Sequence, residues 1–148
     1  VKGWLLDMNV LSATGPGKRP LPPEQVAWFR DRTDALYFST VTAAEVEAGI
    51  ARLRRTGSGS RANNLRDWFG RILAAYADRI LPFDLAAARI AGALSDAAQA
   101  AGRHPGFADV AIAAIAKARD LVVATSNRRH FEPLGVEIVN PFDTGRPV

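Results

Sequence analysis

Five short segments of this chain run apolar instead of alternating: Trp4–Met8, Ala35–Thr40, Arg79–Phe83, Leu121–Thr125 and Val136–Val139. A strand wet on one face alternates with period two, whereas a strand covered on both faces is apolar at both parities, which is the signature of a parallel sheet. Parallel neighbours need long crossovers, and helical patterns lie between the runs. Glu24–Arg32 carries Val26 with Phe29, Ala43–Arg55 carries Val46, Ile50 and Leu53, and Arg61–Tyr76 carries Leu65, Trp68, Phe69, Ile72 and Leu73 on the spacing of one buried face. Leu85–Ala100 and Ala108–Ala118 are rich in alanine, which lets neighbouring elements approach closely. The expected fold is α/β: a three-layer sandwich with a mainly parallel five-stranded sheet and helices on both faces.

The breaks agree with this division. TGPGKRPLPP (Thr14–Pro23) continues neither pattern, TGSGS (Thr56–Ser60) joins two helices as an antiparallel pair, and GRHPG (Gly102–Gly106) separates two more. With 148 residues, 48% hydrophobic and 23% charged, one domain over residues 1–148 is expected. No run reaches the roughly 18 apolar residues of a membrane span, and no basic, apolar leader opens the chain. Without cysteine there is no disulfide scaffold, thiolate metal site or cysteine nucleophile, and a cytoplasmic setting is expected. The net charge of +4 leans toward an anionic partner.

In open parallel sheets, ligands sit beyond the carboxyl ends of the strands. WLLDMNVLS places Asp7 at such an end, Glu45 follows the second strand in STVTAAEVEAGI, and Asp109 opens the last long helix in GFADVAIAAIAKA. The polar cluster TSNRRHF (Thr125–Phe131) follows the fourth strand. On one rim, carboxylates repel unless a cation sits between them. Magnesium or manganese suits such oxygen ligands and can activate water for attack on a phosphodiester. Each acid also has a plainer reading. Thr42-x-x-Glu45 has the spacing of a capping box, Asp109 gains from the dipole of a first helical turn, and Asp-x-Asn at Asp7 can form an Asx turn. Asp84, in LPFDLAAA, serves as a control and is read simply as an N-cap.

LLDMNVLS, TVTAAEVEAGI, ADVAIAAIAKARDLVVATSN and FEPLGVEIVNPF, in this order, resemble a PIN-domain ribonuclease of the VapC toxin type, and RILPFD resembles its FitB-like branch. The resemblance implies a magnesium- or manganese-dependent endoribonuclease that cleaves RNA to stop translation, neutralised by a VapB-type antitoxin. It implies Asp7, Glu45 and Asp109 as metal-binding and catalytic acids, Asn9 and Thr125 as the groups that orient them, and Asn127 as a catalytic residue where many relatives carry a fourth acid. A toxin homodimer through the late helices, and a higher assembly with antitoxin, are implied as well.

The chain departs from the family at three positions. Met8 replaces a usual Thr or Ser, Asn127 is neutral, and His130 stands where an acid often precedes the phenylalanine. These departures keep open a second reading: a catalytically weak PIN-fold module that binds RNA or antitoxin without efficient cleavage. His130 is expected to be solvated, with contact to an RNA phosphate or a role near the leaving group as the alternatives. Arg128 and Arg129 follow the acidic rim and are candidates to grip RNA phosphates. Lys18 and Arg19 lie on the first loop, and Arg52, Arg54 and Arg55 complement a helix dipole. Trp28, Phe29, Trp68 and Phe69 cannot all face one core: either some line a groove for an apolar antitoxin segment, or they pack ordinarily with one ring partly exposed. No Gly-rich phosphate loop follows the first strand, which disfavours a nucleotide-binding enzyme.

Overall fold

Trp4–Leu6 (β1) is the central strand of a five-stranded sheet in the computed structural model, which describes residues 2–143. The other strands are Leu36–Ser39 (β2), Ile80–Leu81 (β3), Val122–Ala124 (β4) and Ile138–Val139 (β5). Their order is β3-β2-β1-β4-β5, and every pairing is parallel. The helices are Met8–Ser12 (α1), Pro23–Arg30 (α2), Thr40–Arg55 (α3), Gly59–Ala75 (α4), Leu85–Ala100 (α5), Phe107–Arg119 (α6) and Arg128–Phe131 (α7). The single-domain expectation also runs over Val1 and residues 144–148, which lie outside the described residues.

Side-chain parity explains why the strands read as continuous apolar runs. Leu5 and Val123 join one core, with alanines of α5 and α6, Phe131 and Leu134. Leu6 and Ala124 join the other, with Val10, Trp28, Phe38, Val46, Ile50, Trp68 and Phe69. Helix α6 is buried from Val110 to Ala116 without a break, as a helix enclosed on all sides must be. Burying Ile112 and Ile115, each 1% exposed, stabilises the fold by about 1.5–3 kcal/mol apiece.

Three details differ from the sequence reading. The strands are shorter, and two one-turn helices, α1 and α7, flank the strand ends as elements too short to show a period. Helix α3 begins at Thr40, where Ser39 Oγ accepts from the Thr42 N–H at 3.2 Å. Thr42 is therefore inside the helix and fully buried, and Glu45 lies in its second turn, so the capping-box alternative for Thr42 and Glu45 is overturned. Asp84 does cap α5, accepting from the Ala87 N–H at 3.0 Å. Lastly, ordinary packing is the reading of the aromatics that holds, and Trp28, Trp68 and Phe69 are core residues. Of that aromatic set only Phe29, half-buried, borders an open hollow, beside Val26, Leu21, Lys18 and Arg19.

Candidate metal centre

From β1 the chain builds outward to β2 and β3, then crosses over to add β4 on the other side of β1. The carboxyl ends of β1 and β4 thus flank the point where the strand order reverses, where a crevice forms in sheets of this kind. Asp7 directly follows β1 and Thr125 directly follows β4.

Asp7 is only 6% exposed, and three hydrogen bonds hold its carboxylate. Oδ1 accepts from the Met8 N–H at 2.8 Å and so caps α1. Oδ2 accepts from Thr125 Oγ1 at 2.9 Å and from Asn9 Nδ2 at 3.1 Å. The same Thr125 hydroxyl accepts from the Asn127 N–H at 3.0 Å, and Asn9 Oδ1 accepts from the Ser126 N–H at 3.1 Å. Asn9 and Thr125 therefore tie the loop after β4 to the turn after β1. The backbone donor to Asp7 is the adjacent Met8 N–H and not the N–H two residues on, so the bond is a helix cap in place of an Asx turn, and it occupies only one of the two oxygens.

Glu45 reaches the rim from α3 and Asp109 from the first turn of α6. Burial raises the Glu45 carboxyl above the ordinary glutamate range, and the charges of Asp7 and then Asp109 add to the rise. Burial likewise raises Asp109, with Asp7 adding to it and His130 opposing it. The three acids thus share one electrostatic field. Glu45 Oε1 is buried with no hydrogen-bond partner.

His130, expected to be solvated, places Nδ1 3.3 Å from Asp109 Oδ2 while its side chain stays 59% exposed. The one-turn helix α7 turns it back toward the acid, a placement invisible to periodicity. Asn127 precedes α7 and is exposed beside this rim, as are Arg128 and Arg129 on the helix itself. Lys18 and Arg19 border the separate hollow near Phe29, and Arg54 donates to Asn63 Oδ1 at 3.1 Å, so neither set joins the acids.

The model of the PIN domain matches residues 4–135. The chain belongs to the PIN-domain family. Its sequence is 37% identical over 145 residues to the VapC ribonuclease Y4jK of Sinorhizobium fredii, covering 94% of this chain and 97% of that protein. It is 36% identical over 141 residues to toxin FitB of Neisseria gonorrhoeae, covering 93% and 97% respectively. The crystal structure of FitAcB from Neisseria gonorrhoeae superposes with a TM-score of 0.81 at 37% identity, over 95% of this chain and 99% of that one. These relatives bear out the VapC-type, FitB-like resemblance carried by the motifs.

The donor set of this PIN domain fits a divalent cation on two observations. Three carboxylates offer hard oxygen ligands, and the unpartnered Glu45 Oε1 is the kind of buried polar atom that demands a counterpart. Among the described residues no three acidic or histidine side chains form a ready-made cage. Magnesium and manganese keep several waters, so not every acid must ligate directly.

Proposed function

We propose that this PIN-domain chain is a metal-dependent endoribonuclease of the VapC toxin type, restrained by a VapB-type antitoxin. The observation that carries the reading is the orphaned Glu45 Oε1, buried in one field with Asp7 and Asp109 at the switch point of the sheet. Similarity to a VapC ribonuclease and to toxin FitB over nearly the whole chain supports it.

Asp7, Glu45 and Asp109 hold magnesium or manganese, either directly or through water. A divalent ion held by these acids would supply Lewis-acid chemistry toward water and the phosphate. Thr125 and Asn9 hold and aim the Asp7 carboxylate by donating to Oδ2. Asn127, exposed ahead of α7, orders the attacking water, and Arg128 and Arg129 grip the RNA backbone. The exposed Leu85 and Phe107, at the starts of α5 and α6, support a homodimer through the late helices, with a larger assembly once antitoxin binds. No described helix is long and apolar enough to cross a membrane; the cytoplasm, where RNA is translated, is the proposed setting.

Purified protein incubated with structured RNA in manganese, with and without chelator and beside Asp7→Asn, tests the proposal. Cleavage that needs manganese and disappears in the variant is the expected result. Binding of RNA without cleavage would instead establish the weak binding module, which the neutral Asn127 favours.

A further inference from the structure

Beyond the three acids, a cleft of about 270 Å³ opens between the α5–α6 loop and α7. Arg103 and His104 reach it from the loop, Arg129 and His130 from α7, and Asp109 and Pro133 complete the wall. We infer that this cleft is a second phosphate-binding subsite, which holds the RNA backbone beside the phosphodiester being cut.

The loop positions its charges. Gly102, at φ 74°, reverses the chain after α5. Its N–H donates to Gln99 O at 2.9 Å, and the Arg103 N–H donates to Ala98 O at 2.8 Å, which closes a Schellman motif. Arg103 thus leaves a fixed backbone. Four arginines pair with an acid: Arg30 with Asp31, Arg66 with Asp67, Arg79 with Asp78 and Arg119 with Asp84. Among the described residues Arg103 and Arg129 have no such partner, although they share a cleft. Two unpaired guanidiniums facing one concavity, with two imidazoles, present the planar donors that suit phosphate oxygens.

Asp109 narrows the choice of anion. Its carboxylate lines the same cleft and repels a free phosphate, with His130 Nδ1 at 3.3 Å only partly offsetting that repulsion. A polyanion already anchored at the acids can enter the cleft with its next phosphate. A nucleic-acid strand meets that description and a lone ion does not. The inference rests on the proposed nuclease reading for the identity of the strand as RNA.

Fluorescence anisotropy with a labelled 12-residue oligouridylate tests the subsite. Calcium serves as the cation, and the length of the RNA is checked afterwards. Arg103→Ala should weaken binding roughly three- to tenfold, the worth of one part-exposed charge-assisted contact. It should also reduce the slope of log K against log salt by about 0.7, the value for one lost phosphate contact on a single strand. Arg103→Lys should restore part of the loss, and Arg66→Ala, an equal change of charge elsewhere, should do nothing. Overturning results are Arg103→Ala binding RNA like Arg66→Ala, no RNA binding by the unaltered protein, or a loss confined to antitoxin affinity. A weakened Arg103→Ala in a protein that never cleaves RNA in manganese sinks the nuclease reading and leaves the subsite standing.

Discussion

The Thr125 hydroxyl does two jobs with one atom: it donates to Asp7 Oδ2 and accepts from the Asn127 N–H. Thr125→Val keeps the shape and removes both. The buried Asp7 oxygen loses a donor, and the variant should be destabilised by about 1–3 kcal/mol. Its manganese affinity should fall roughly 10–100-fold, as for other groups that orient metal ligands, while Thr125→Ser retains most of it. Denaturant melts and manganese titrations would show both effects. Glu45 makes the opposite case. Its carboxyl is raised by burial, then by Asp7 and Asp109, so the metal-free folded state holds a proton that the unfolded chain has already released just above the ordinary glutamate value of 4.5. Stability therefore falls as pH rises through that window, and the penalty is complete above the raised value. Without metal, Glu45→Gln should melt above the unaltered protein at pH 7 and level with it near pH 4. An advantage that persists at low pH would refute the assignment.

Among the elements, both strands and long helices were legible because burial imposes a period or its absence over many residues. The five apolar runs and five helical patterns all correspond to elements of the structure. What escaped were α1 and α7, each built on a local cap or turn, and the first turn of α3. Thr40 and Val41 sit between a strand and a periodic stretch, and only the Ser39 cap shows that they are helical. The same blindness hid the approach of His130 to Asp109, since α7 is what turns it. Caps also supply a control for the acids. Asp84 stands between a strand and a helix much as Asp7 does, but its carboxylate caps α5 and pairs with Arg119. Asp84→Ala should cost about 0.5–2 kcal/mol by thermal or urea melting and leave the response to manganese untouched.

The molecule as a whole gathers its candidate site from four distant parts of the chain, because the order β3-β2-β1-β4-β5 puts the ends of β1 and β4 side by side. That convergence was inferable once the strands were taken as parallel neighbours, since each acid follows or precedes a known element. The atomic support, from Asn9 and Thr125 to the unpartnered Glu45 oxygen, depends on rotamers that no spacing reveals. A cation that binds only the folded chain must stabilise it, by about 2.7 kcal/mol at a hundredfold excess over its dissociation constant. Manganese at the proposed site would compete with protons on Glu45 and Asp109, with Asp7 and His130 as the neighbouring charges, so that gain should shrink as pH falls toward the ordinary carboxylate range. Thermal melts across pH with and without manganese would record it. The most direct measurement is the anomalous difference map of crystals soaked in manganese. One peak enclosed by Asp7, Glu45 and Asp109, with Glu45 Oε1 turned toward it or toward one of its waters, is the expected result; three carboxylates facing apart with no peak among them would contradict it.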